Sequence, residues 1–167
     1  MKKFIGVILL MFSFGASAET TINEELFRLV LPGKWVLIEK AKDENIWVYQ
    51  SKSGKEQISV SIYSYTKAPS HDSKKQFLED FIKTRKEQEM SITKNASKIA
   101  NEKINEYPTG FGYSYDIDGP GDRKASNKAI SNSFGIGNFY YESLGLSQKE
   151  FDRNKSTIFK QIGLIDA

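Results

Sequence analysis

The sharpest patterning along the chain is a pair of β-rich runs around a short polar connection. Asn45 to Gln50 and Gln57 to Tyr65 read as strands joined through Ser51-Lys52-Ser53-Gly54-Lys55, a hairpin connection with its glycine. A period of two puts Ile46 and Val48 on one face of the first run and Trp47 and Tyr49 on the other. In the second run Ile58, Val60 and Ile62 share a face, opposite Ser59, Ser61, Tyr63 and Tyr65. An aliphatic face backed by an aromatic one predicts a sheet covered on both sides.

Upstream, Phe27 to Leu31 predicts a strand that stops at the turn pair Pro32-Gly33. Trp35 to Ile38 starts another, and the charged stretch Glu39 to Glu44 reads as a solvated turn. Ser73-Lys74-Lys75-Gln76 fits a capping box, in which a hydroxyl accepts from the third backbone N–H of a helix while the glutamine reaches back. Phe77, Leu78, Phe81, Ile82 and Arg85 recur at helical spacing, so a helix is expected to about Met90. A strand follows over about Ser97 to Glu106, and Phe111, Tyr113 and Tyr115 alternate with small or polar residues as a further strand.

Asp118 to Asp122 is a loop by its Asp, Gly and Pro content. Lys128 to Phe134 and Asn138 to Leu144 are expected as two strands around a Gly135-Ile136-Gly137 turn. Ser147-Gln148-Lys149-Glu150 is a second capping box, with Leu146 and Phe151 placed to form a hydrophobic staple. Phe151, Ile158, Phe159 and Ile162 make the apolar stripe of this last helix, and Gly163 is positioned to end it.

The first residues follow a different logic. Met1-Lys2-Lys3 is a positive start, Phe4 to Gly15 is apolar, and Ala16-Ser17-Ala18 offers the small residues that a signal peptidase reads. The apolar run is short of the roughly 20 residues that a helix needs to cross about 30 Å of hydrocarbon. Residues 1–18 are therefore expected to be a cleaved export signal, and residues 19–167 a single domain with no membrane span. The cleavage region holds no Cys for a lipid anchor. The periplasm of a Gram-negative cell is the expected compartment, with release to the medium as the alternative.

The order of elements resembles one known superfamily. Phe27-Arg-Leu-Val-Leu-Pro-Gly-Lys-Trp35 opens the domain, and a strand hairpin, a long helix, a second meander and a C-terminal helix follow. The arrangement looks like that of the photosystem extrinsic protein PsbP, whose superfamily takes in a Ran-binding nuclear import factor and the bacterial periplasmic protein DcrB. The likeness runs over about residues 22 to 164. It implies an α+β fold in which an antiparallel sheet is sandwiched between helices (α-β-α), in line with the two-faced strands. It implies protein binding rather than a reaction, because these proteins share no catalytic motif.

Composition narrows the chemistry further. The chain of 167 residues carries 24 Lys and Arg against 21 Asp and Glu. Two of the lysines lie in the export segment, so the mature chain is close to neutral, which argues against nucleic-acid binding. No Cys is present, which excludes disulfides, thiolate metal sites and Cys nucleophiles. The lone histidine, His71, sits between Ser70 and Asp72, but adjacency in sequence is not the geometry of a catalytic triad. One His without Cys also speaks against zinc.

Asp116, Asp118 and Asp122 fail the calcium-loop pattern, with Pro120 at its fifth position and Asn127 at its twelfth. Gly110-Phe111-Gly112 and Gly135-Ile136-Gly137 lack the lysine and the setting of phosphate loops and are expected to allow bulges or tight turns. No cofactor, metal site or catalytic residue is nominated.

Aromatic residues remain as the candidate binding surface. Trp47, Tyr49, Tyr63 and Tyr65 are expected on one face, extended by Tyr113 and Tyr115, unless the C-terminal helix covers them. Tyr and Trp suit interfaces because they join apolar area to a polar tip. The leading expectation is a non-catalytic module that binds another protein of the cell envelope. An immunity-type inhibitor of a secreted toxin and a small-molecule binder with an aromatic-lined pocket are the alternatives.

Overall fold

The structure, a computed structural model, describes residues 19–41 and 45–164. Residues 1–18, expected to be an export signal, and part of the expected turn, residues 42–44, lie outside the described residues. Ten strands and two helices follow in the order β1 (Glu19–Asn23), β2 (Phe27–Pro32), β3 (Trp35–Ala41), β4 (Ile46–Ser51), β5 (Glu56–Ser64), α1 (His71–Ile92), β6 (Lys98–Tyr107), β7 (Gly110–Asp118), β8 (Arg123–Ser131), β9 (Gly135–Leu144), α2 (Gln148–Lys160) and β10 (Gly163–Leu164). Seven strands form one antiparallel sheet in the order β3-β4-β5-β9-β8-β7-β6, and β1-β2-β10 form a second. The long sheet is two meanders fused along β5 and β9, with α1 as the connection between them.

Two hydrophobic clusters form on opposite faces of the long sheet. Ile58, Val60, Phe139 and Tyr141 meet Phe27, Leu29 and Leu31 of the short sheet and Phe151 and Ile158 of α2. Stacking of Tyr141 on Phe151, with centroids 5.2 Å apart and planes within 10°, marks the seat of α2. On the other face Leu78 and Ile82 of α1 meet Phe111, Tyr115, Ile117, Ala125, Ala129 and Ile136. The alanines of β8 leave room for the helix to approach.

Several local expectations hold and others are displaced. The Ser147–Glu150 capping box is formed as read. For α1 the N-cap is Ser70, one turn before Ser73, and its hydroxyl accepts from the Ser73 backbone N–H. The start expected at Ser73 falls a turn late because His71 and Asp72 carry no apolar periodicity. Strand β3 continues through Glu39 and Lys40 rather than turning there, since an edge strand needs only one paired side.

Gly135 and Gly137 stand inside β9 and not in a turn. A Cβ on Gly135 would lie 2.3 Å from the Tyr63 carbonyl oxygen, and one on Gly137 would lie 2.3 Å from Leu164 Cδ2. Close approach, not a turn, is what these glycines permit. Gly163 likewise begins β10; the helix has already ended at Gln161.

Candidate functional site

The aromatic residues nominated from the sequence are split between the two faces. Pairing in the β4–β5 hairpin sets Trp47 opposite Val60 and Tyr49 opposite Ile58. Odd positions of β4 therefore share a face with even positions of β5, and Trp47 and Tyr49 lie across the sheet from Tyr63. Trp47 is only 5% exposed and packs edge-on against Phe27 at 5.1 Å. Tyr49 is equally buried and donates to Glu24 Oε1 at 3.2 Å; burial first, and Glu24 second, push its pKa upward. These two are core residues. Their cover is the short sheet, where the C-terminal helix had been the expected one.

The other four line the α1 side. Tyr63 is partly exposed, lies against Phe81 at 5.1 Å and accepts from Arg85 Nη2. Tyr65 packs on Phe77 and pairs with Ser131 Oγ at 2.9 Å. Tyr113 donates to Glu102 Oε2 at 2.5 Å beneath the Lys86 ammonium, whereas Tyr115 is buried at its edge. They do not form one open stripe, because α1 crosses them.

What α1 leaves uncovered is more informative. Its first half is anchored by Leu78 and Ile82, but its last turns present Arg85, Gln88, Glu89 and Ile92 to the sheet. Opposite them, cross-strand pairing aligns Ser59, Tyr140, Asn127 and Tyr115 in one row and Ser61, Asn138 and Ala129 in the next. Small and polar side chains cannot fill the space below a helix, so a cavity of about 270 Å³ remains.

An ion pair forms one wall of this cavity. Arg123 Nη1 and Nη2 donate to Glu89 Oε1 and Oε2 at 2.6 and 3.1 Å, and Arg123 Nε donates to Glu142 Oε2 at 3.2 Å. Tyr140 O–H donates to Glu89 Oε2 at 3.2 Å and itself accepts from Arg123 Nη2, while Ser97 Oγ donates to Glu89 Oε1 at 2.9 Å. Burial works to raise the Glu89 pKa, but the hydrogen bonds from Arg123 and Ser97 outweigh it and hold the carboxyl below its ordinary value. Beside Glu89 the Arg123 guanidinium stays charged throughout.

Two groups in the floor are not satisfied in this way. Asn127 and Asn138 are 1% and 4% exposed, and their Oδ1 atoms have no hydrogen-bond partner. A buried acceptor without a donor costs about 1–3 kcal/mol. Reading along the strands placed Ser59 and Ser61 on the face of Tyr63 and Tyr65 and gave Asn127 and Asn138 no part in a site. Only the register brings them together, although the run of small polar residues on alternate positions of β5 was a visible signal.

His71 opens α1, with its ring against Phe111 at 4.6 Å and Nε2 3.1 Å from Glu106 Oε1. Ser70 Oγ is turned to Ser73, not to His71. Asp116 is held by Lys155 at 2.9 Å, Asn101 at 2.9 Å and Ser126 at 2.6 Å, which ties α2 to β7 and β8.

With this geometry in view, the chain's likeness to solved structures concerns the fold as a whole. It matches the solution structure of cyanobacterial PsbP from Synechocystis sp. PCC 6803 with a TM-score of 0.61, over 92% of this chain and 96% of that one, at 14% sequence identity. The fold is PsbP-like: α+β, with two antiparallel sheets and two helices. No family model matches the sequence, and no curated protein does. Among the described residues no helix is long and apolar enough to cross a membrane.

Proposed function

We propose that this PsbP-like chain is a non-catalytic interaction module, exported to the periplasm, that docks an extended segment of a cell-envelope protein along β3. In this reading residues 19–167 are one α-β-α domain, with α1 on one face of the long sheet and α2 with the short sheet on the other. The observation that carries it is the run Val36, Leu37 and Ile38, which are 54%, 46% and 50% exposed on an edge strand.

An edge strand presents unpaired N–H and C=O groups, and proteins normally guard such edges with charge. The opposite edge is guarded in that way: β6 carries Lys98, Glu102, Lys103 and Glu106, with a register shift between Ala100 and Lys103. Strand β3 instead offers three consecutive apolar side chains, interrupted only by its own register shift between Leu37 and Glu39. Backbone pairing with alternate apolar contacts is the chemistry of β-augmentation, so the fitting partner is an extended apolar segment.

The test is affinity capture from the envelope fraction with residues 19–167 tagged at the C-terminus, run beside a Leu37→Lys variant. A stoichiometric partner captured by the parent and lost with Leu37→Lys is expected. A partner kept by that variant, or no partner at all, overturns the proposal. A toxin as the Leu37-dependent partner would make the module an immunity-type inhibitor.

A further inference from the structure

We infer that the cavity under the last turns of α1 is a binding site for a small, neutral, hydroxyl-rich molecule of about one sugar ring. It lies on the α1 face and does not depend on the β3 edge. Its volume of about 270 Å³ falls just below the roughly 300–1,000 Å³ usual for ligand pockets, which suits one ring and not a nucleotide or an extended cofactor.

The chemical class follows from which atoms are free and which are taken. Asn127 and Asn138 line the space, and their Oδ1 atoms are buried acceptors without donors, so an occupant that brings N–H or O–H groups is favoured. Ser59 and Ser61 beside them add hydroxyls that both donate and accept, as an alcohol-rich partner requires. The charged groups are already engaged: Arg123 with Glu89 and Glu142, and Arg85 with Gln88 at 3.2 Å and with Tyr63.

The Arg123 charge is met by Glu89 and Glu142, and the Arg85 guanidinium is turned to Gln88 and Tyr63, so the groups left to an occupant are neutral acceptors and hydroxyls, which favour a neutral one. Tyr115, Tyr140 and Ile92 supply the apolar part of the lining, against which the C–H face of a sugar ring can pack.

The experiment is a titration of the isotope-labelled protein with D-glucose and, separately, with N-acetyl-D-glucosamine, following the side-chain amides of Asn127 and Asn138 by NMR. Saturable shifts at both amides in the millimolar range are expected with at least one sugar. Asn138→Leu, which replaces the unpaired acceptor by methyl groups of similar size, is expected to weaken binding at least tenfold while the melting temperature holds or rises. Ser61→Val is a second variant with the same expected loss.

Three outcomes overturn the inference. One is that neither sugar gives saturable shifts, which would leave the cavity to water alone. Another is that the Asn127 amide shifts persist unchanged in both variants. The third is that inorganic phosphate or spermidine saturates the same amides while both sugars do not.

Discussion

Arg123, the first residue of β8, grips Glu89 near the end of α1 with both terminal nitrogens, at 2.6 and 3.1 Å. The Glu89 side chain is 9% exposed, so this pair fastens the helix end to the sheet where hydrophobic packing has stopped. Removing one partner of a buried pair leaves the other charge unmatched, at about 3–5 kcal/mol. Arg123 keeps Glu142 and some solvent contact, which puts Glu89→Ala at about 3 kcal/mol, the low end of that range. The urea midpoint would fall accordingly, and an unchanged midpoint would show that the helix end is held by something else.

Acid should weaken the fold through the same group. A carboxyl whose pKa is lower when folded contributes stability that is complete above its unfolded value and is lost as the pH falls through the folded one. Glu89, with an ordinary value of 4.5, and Asp116, with 3.8, are both held below those values. Burial opposes the shift in each; Arg123 and Ser97 at Glu89, and Lys155, Ser126 and Asn101 at Asp116, overcome it. Stability measured by urea unfolding should therefore be flat from neutrality to about pH 5 and drop below about pH 4.5. Glu89→Gln should make that drop shallower; an equal slope would remove Glu89 from the account.

The strand glycines separate two kinds of crowding. A Cβ on Gly110 would lie 1.9 Å from the Ser131 carbonyl oxygen, which is backbone, whereas on Gly137 it would meet the tip of Leu164. Overpacking typically costs about 1–3 kcal/mol when something can move. Gly137→Ala should stay within that range and be relieved by Leu164→Ala. Gly110→Ala should cost more and have no side-chain rescue. Thermal melting of the three variants decides it.

Helix capping offers a sharper distinction. Ser70 accepts from the Ser73 N–H and Ser147 from the Glu150 N–H, so Ser70→Ala and Ser147→Ala should each cost about 1 kcal/mol. Ser73→Ala keeps the donating N–H and should cost clearly less. Equal losses at Ser70 and Ser73 would argue for a helix that starts a turn later.

The elements with strong local signals were legible: β2, β4, β5 and β7 by composition and alternation, and α2 by its capping box and apolar stripe. What could not be read is non-local. Strand β1 has a single buried position, Ile22, and β10 is described over Gly163–Leu164, so neither carries a readable period. Alternation assigns faces within a strand but not between strands. The hairpin register alone decides that Trp47 faces Phe27 while Tyr63 faces α1. The polar cavity escaped for the same reason: Ser59, Asn127 and Asn138 come together only through the β5-β9-β8 pairing.

The unequal edges of the long sheet also bear on self-association. A sheet that adds copies of itself without limit needs two receptive edges, so that each new copy exposes another. Here the β6 edge is charged and irregular, and only β3 is open and apolar. Two molecules joined through β3 would be related by a twofold axis, and the joined sheet would end at both sides in the charged β6 strand. Growth by this route closes at a pair and cannot become a fibre.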